Sequence, residues 1–270
     1  MSLHPRLALN ALVTPAWSFE QDLAFWTECG LSTVGLLHNK VAAHGADRVA
    51  AALHERGFAL AAVICGCFTL DDRSAWPAEQ ARLNAMIDLA APFGGMVYGP
   101  PGQGRFDDWA GNCATYAEAV APCLAHARER GVTLAFEPTL RPAMSFVHNL
   151  RDGLDLAAAS GTAMVVDIGN CCTERDHRAV IRAMKPEQIA MVQISDVAIG
   201  TAARPGSGLR VLPGHGDLPL EEHIRAAHEA GYAGPFEIEF MGDAEVDRDA
   251  IRRSLALVSD MLDRVIGRSD

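Results

Sequence analysis

Eight short runs of β-favouring residues, each followed by a longer amphipathic stretch, recur along the 270-residue chain, and this alternation restricts the fold more than any other feature. The runs span 7–12, 33–37, 59–65, 95–98, 133–137, 163–167, 190–194 and 236–240. Helical patterns follow them at 19–28, 45–56, 78–91, 114–130, 149–159, 176–184, 220–230 and 246–265. Strict β-then-α order implies right-handed crossovers and a parallel sheet, and eight repeats close such a sheet into a barrel. The predicted fold class is therefore α/β, a (β/α)8 barrel. An open doubly wound sheet would carry a glycine-rich phosphate loop after its first strand, but Thr14-Pro15-Ala16-Trp17-Ser18 stands there.

No linker, charge block or low-complexity stretch divides the chain. The longest segments between elements, 99–112 and 196–218, both follow strands, where barrel enzymes place their catalytic loops.

Composition narrows the function classes. With 49% hydrophobic and 21% charged residues the chain is of the globular type. Its longest apolar runs, such as 60–65, fall far short of the ~20 residues that cross a bilayer, so a soluble protein without a membrane partner is expected. The apolar run 7–13 is interrupted by Asn10 and reads as a strand rather than a secretory leader. Seven cysteines without regular spacing point to reduced thiols and a cytoplasmic location. Neither Cys65-Gly66-Cys67 nor Cys171-Cys172 has the spacer of a zinc knuckle, which leaves packing as their role. A net charge of −11 opposes a phosphate backbone, so nucleic acid is excluded as a partner.

The chemistry-bearing residues cluster at strand ends. In Thr133-Leu134-Ala135-Phe136-Glu137-Pro138, alternation sends Leu134 and Phe136 toward the helices and Glu137 into the barrel, where Pro138 stops the strand. The same period turns Asp167 inward at the end of the sixth run, Gln193 and Ser195 inward in the seventh, and Glu237 and Glu239 inward in the eighth. Glu239 lies nearer the C-terminal end and is the better active-site candidate. Buried carboxylates are costly unless a cation meets them. Four neighbouring strands that each end in an oxygen donor form a cage for a hard ion. Three carboxylates and an amide suit Mg²⁺, Mn²⁺ or Ca²⁺ better than Zn²⁺ or Co²⁺. The competing reading is buried ion pairing of these acids with arginine.

The motifs Phe136-Glu137-Pro138, Val166-Asp167, Val192-Gln193-Ile194-Ser195-Asp196, Arg210-Val211-Leu212-Pro213-Gly214-His215-Gly216-Asp217 and Glu237-Ile238-Glu239-Phe240 resemble those of the xylose isomerase-like superfamily of sugar isomerases and epimerases. The likeness covers nearly the whole chain and points to the ketose 3-epimerase and hydroxypyruvate isomerase branch, with inosose and dehydroshikimate dehydratases nearby. It implies a single xylose isomerase-like TIM-barrel domain over residues 1–270. It also implies one divalent ion (Mn²⁺, Mg²⁺ or Co²⁺, with Zn²⁺ also admitted) on Glu137, Asp167, Gln193 and Glu239, substrate contact from Arg210, and a dimer or tetramer. Two positions depart from the pattern, since the family carries His where this chain has Gln193 and Asn170.

Such a site runs proton transfer on a small sugar or hydroxy-keto compound through a metal-stabilised enediolate, with Glu137 and Glu239 as bases on opposite faces. The same site becomes a dehydratase if the intermediate expels a β-hydroxyl, and a carbohydrate-binding protein if Gln193 and Asn170 mark a decayed centre. An abasic endonuclease is opposed by the acidic charge and the missing imidazoles. His215, between two glycines, and His38, after the second run, are candidate substrate contacts beside Arg210 and Asn170. Asp196 is a candidate orienting partner of Gln193 or Arg210, at the edge of the substrate site. Cys65, Cys67, Phe68 and Tyr98 end strands where an apolar pocket wall or the core would lie, and Trp109 is a candidate lid.

Overall fold

A computed structural model describes residues 2–198, 210–241 and 247–268. Eight parallel strands close into a barrel in the order first, eighth, seventh, sixth, fifth, fourth, third, second. They are Leu7–Asn10, Thr33–Leu37, Ala59–Ile64, Met96–Gly99, Thr133–Phe136, Ala163–Asp167, Ile189–Ile194 and Phe236–Ile238. Among the described residues, no helix is long and apolar enough to cross a membrane.

The period-2 reading of the strands holds in space. Leu134, Phe136, Met164, Val166, Val192, Ile194, Phe236 and Ile238 belong to the large core between barrel and helices. Ala8, Ala62, Met96, Tyr98, Ala135, Val165 and Met191 form a separate cluster inside the barrel. The side chains that alternate with the outer set, Glu137, Asp167, Gln193, Ser195, Glu237 and Glu239, are all buried.

Four strands are shorter than their sequence patterns, the third by one residue and the other three for local reasons. The first stops at Asn10, whose side chain accepts the Leu12 N–H at 2.9 Å and turns the chain into a 3-10 helix over Ala11–Val13. The fifth and eighth stop before Glu137 and Glu239. The ladder nonetheless reaches those residues, because Glu137 N–H donates to Gly99 O at 3.2 Å and Glu239 N–H to Ile194 O at 3.4 Å. Both acids are therefore fixed by backbone bonds to a neighbouring strand.

Helical content exceeds the expectation at three places. The helix after the fourth strand begins at Trp109, five residues early, with Asp108 capping the Gly111 N–H. His38–His44 is helical rather than loop. Its Lys40 donates to Asp22 Oδ2 at 2.5 Å and to Thr14 O at 2.7 Å, which ties the start of this helix to the first helix, Phe19–Cys29, in a buried ion pair. Ile168–Cys171 forms a short helix directly on the sixth strand, capped by Asp167 itself. A two-stranded antiparallel ribbon pairs Asp196–Val197 with Arg210–Val211.

Candidate metal centre

Glu137, Asp167 and Glu239, from the fifth, sixth and eighth strands, bring one carboxylate oxygen each to within 4.8 Å of one another. All three are buried. Their convergence follows from barrel closure: strands five to eight are neighbours, and each places its inward terminal residue at the same mouth.

The cations and donors around the trio are unevenly shared. Arg210 Nη1 donates to Asp167 Oδ2 and, at 3.3 Å, to Glu239 Oε2. Asp167 Oδ1 also accepts Ser195 Oγ at 2.9 Å and the Gly169 N–H at 2.8 Å. Asn170 Nδ2 donates to Glu137 Oε1 at 2.6 Å and to Asp167 Oδ2 at 2.9 Å. Glu137 has no guanidinium partner among the described residues. The competing reading of arginine neutralisation is thus met only in part: one guanidinium contacts two of the three carboxylates.

Burial and crowding set the proton affinities. Burial raises Glu137 well above the carboxylate range, and the charges of Glu239 and Asp167 raise it further against the pull of Arg210. Burial likewise pushes Glu239 up to about 7, opposed chiefly by Arg210. Arg210 loses solvation, yet Asp167, Glu239 and Glu137 outweigh that loss and hold it firmly protonated. Once ionised, the three carboxylates exceed the Arg210 charge by two, which a divalent cation would balance, and three hard oxygen donors suit one. The residues fit the ion.

Gln193 gives a second indication. It is fully buried, its Nε2 donates to Tyr98 Oη and to Glu237 Oε2 at 3.0 Å, and its Oε1 has no protein partner. A buried unpaired carbonyl costs about 1–3 kcal/mol, a debt that a cation or bound hydroxyl would remove. Glu237 is seated one layer down, with Asn10 Nδ2 on its other oxygen at 3.0 Å. Burial pushes it up to about 8, against the two amide donors.

Other sequence-derived candidates stand elsewhere than expected. Asn170 was a candidate substrate contact, but its amide nitrogen is committed to the two acids because the Asp167 cap folds it back over the sixth strand. Asp196 orients neither the Gln193 nor the Arg210 side chain. Its Oδ2 accepts Gly214 N–H at 3.0 Å and Gly216 N–H at 3.1 Å, and its Oδ1 accepts Leu218 N–H at 3.0 Å. It clamps the loop 212–218, and the ribbon pair Val197–Arg210 then places Arg210 by backbone register.

That clamp also decides His215. With Gly214 and Gly216 turned onto Asp196, the His215 ring is exposed and has no partner among the described residues. His38 sits half-buried with Nδ1 at 3.3 Å from Ile64 O and bonds none of the three acids. Trp109 packs edge-on against Phe146, ring centroids 5.6 Å apart, beside a cleft of about 430 Å³ that is lined by the loops after the fourth and fifth strands and not by the acidic trio.

Two further residues bear on the trio: Tyr98, expected as pocket wall or core, and Arg141, not anticipated. The Tyr98 hydroxyl reaches the barrel axis, where Glu239, Glu237 and Glu137 add to burial in raising its pKa well above that of a free phenol. Inward alternation with Met96 was the available signal. Arg141, in the loop after the fifth strand, acts on Glu239 through space, and nothing local in the sequence marked it.

The model of the family described as xylose isomerase-like TIM barrel matches residues 23–261. No curated protein matches the chain. Among solved structures, a protein from Sinorhizobium meliloti 1021 superposes with a TM-score of 0.82 at 20% identity, covering 96% of this chain and 98% of that one. The IOLI protein, solved with a bound zinc atom, gives 0.83 at 15% identity over 97% and 99%. The apo 3-keto-D-glucoside 4-epimerase of E. coli gives 0.75 at 17% identity over 94% and 99%.

Proposed function

Since the chain belongs to the xylose isomerase-like TIM barrel family, we propose that it is a divalent-metal-dependent isomerase or epimerase of a small sugar or hydroxy-keto compound, acting by proton transfer at carbon. The observation that carries this reading is the convergence of three buried carboxylates on one point with a single guanidinium among them. The similarity to an epimerase and to a zinc-bound protein of the same fold supports it.

Glu137, Asp167 and Glu239 would hold the ion, with Gln193 Oε1 as a fourth oxygen donor. When bound, the ion supplies Lewis-acid polarisation of a substrate carbonyl and its neighbouring hydroxyl. An all-oxygen donor set favours Mn²⁺ or Mg²⁺, with Co²⁺ and Zn²⁺ weaker for lack of imidazole.

Glu239 and Glu137 supply the proton chemistry. They stand on the outer two of four consecutive strands, so they flank a substrate seated at the mouth. An acid pushed to about 7 exchanges protons near neutral pH, which suits Glu239 to take one from carbon and return it. Transfer by Glu239 on one face and Glu137 on the other inverts the carbon; return to the adjacent carbon converts aldose and ketose. Arg210 holds Glu239 and Asp167 in place and offers its remaining N–H groups to substrate oxygens.

The test is Mn²⁺-dependent exchange of a substrate C–H with D₂O, followed by NMR across a panel of ketoses and hydroxy-keto acids. Exchange that adds one deuterium and loses no water supports the reading. Exchange accompanied by loss of water converts it to a dehydratase, and sugar binding without exchange converts it to a binding protein.

A further inference from the structure

The acidic trio rests on a polar floor whose hydrogen bonds have a fixed direction. Gln193 and Glu237 are register partners on the seventh and eighth strands, and Gln193 is also the register partner of Asp167 on the sixth. Asn10 Oδ1 accepts the Leu12 N–H at 2.9 Å, which settles that the other end of its amide, Nδ2, faces Glu237 Oε1 at 3.0 Å. As a carboxylate Glu237 accepts on both oxygens, its Oε2 receiving Gln193 Nε2 at 3.0 Å. Tyr98 Oη accepts from the same nitrogen. The amide corner left over is Oε1, buried and without a partner.

Room for this floor comes from the second strand. A Cβ on Gly35 would lie 1.9 Å from Glu237 Oε1 and 2.3 Å from Asn10 Nδ2, so any side chain there displaces the pair.

Resting on the metal reading above, we propose that Asn10, Glu237 and Tyr98 orient Gln193 so that its amide oxygen, not its nitrogen, completes the cation site. Glu237 is then a positioning residue rather than a base. The chain obtains by this relay the fixed polarity that an imidazole would bring by itself.

Glu237→Gln tests the relay with a near-isostere. The new amide has one acceptor, while Asn10 and Gln193 both present N–H groups to it. Asn10 is pinned by Leu12, so Gln193 turns over and aims its NH₂ at the cation. Calorimetry on metal-stripped protein should show Mn²⁺ affinity falling roughly tenfold or more, with the metal-free melting temperature unchanged. Adding Gln193→His to Glu237→Gln should recover the affinity, because an imidazole lone pair does not depend on amide polarity. If Glu237→Gln fails to fold, Tyr98→Phe, which removes the other acceptor, should still weaken Mn²⁺ by a smaller factor. Wild-type protein that takes up no Mn²⁺ ends the metal reading and this inference together. Wild-type uptake with equal affinity in Glu237→Gln or, where that variant does not fold, in Tyr98→Phe overturns the inference alone.

Discussion

The amide nitrogen of Asn170 donates to Glu137 at 2.6 Å and to Asp167 at 2.9 Å, bridging two carboxylates that would otherwise repel each other. One neutral donor lowers the cost of crowding without balancing charge, so the site keeps its demand for a cation. The predictions below rest on that deficit.

Metal affinity should depend steeply on pH. Glu239 is pushed to about 7 and Glu137 is raised as well, so a cation must displace protons near neutrality. Both groups are raised in the folded state, so they favour the metal-free fold at low pH, and Glu239 loses that contribution as pH rises through about 7. Calorimetry at pH 5, 6 and 7 should show Mn²⁺ binding tightening by up to about tenfold per unit for each proton displaced, with proton release. A pH-independent affinity would mean that the acids are already ionised or are not ligands.

Arg210→Met should split two properties. Three carboxylates without their guanidinium leave uncompensated buried charge, and the metal-free protein should lose about 3–5 kcal/mol of stability in urea. Mn²⁺ should bind more tightly, since a competing positive charge has gone. Weaker Mn²⁺ binding would mean that the placement of Asp167 and Glu239 by Arg210 outweighs its competition with the ion.

Glu239→Gln should lower C–H exchange by about 10²–10⁴-fold while the circular dichroism spectrum stays unchanged. The substitution removes the proton-accepting oxygen and one ionic ligand at nearly constant shape. Undiminished exchange would move the base elsewhere, to Glu137 across the site or to Glu237, the other buried acid of the eighth strand.

A separate titration lies outside the barrel. His223 Nε2 stands 2.5 Å from His177 Nε2, and its Nδ1 bonds Pro219 O at 2.9 Å. Burial lowers its pKa to about 4, with His177, Arg178 and Arg182 adding to the effect. The unfolded chain therefore binds a proton between pH 6.5 and about 4 that the fold refuses, and stability present above 6.5 is lost as pH falls through that window. Urea denaturation of His223→Gln should lack a pH-dependent loss on the order of 3 kcal/mol that wild type shows. Parallel curves for the two proteins would place the proton on another group.

Alternation in the sequence was enough to find the three acids. Phe136 and Ile238 face helices, so Glu137 and Glu239 face the barrel, and the period permits nothing else. The roles of Asn170, Asp196 and His215 were not legible in that way. Each depends on a backbone turn: the Asp167 cap that starts a helix, or the ring of N–H groups that Asp196 gathers from residues 214–218. A turn of this kind leaves no periodic trace.

By itself the sequence determined the barrel, its inside and outside, and which strands carry carboxylates, because burial of apolar side chains at a spacing of two is a local property. Only the tertiary structure decided that Arg210 would meet Asp167 and Glu239, and that Gln193 would show its oxygen rather than its nitrogen. Those outcomes depend on hydrogen-bond direction and charge balance among strands far apart in the chain, which are fixed only when the barrel closes.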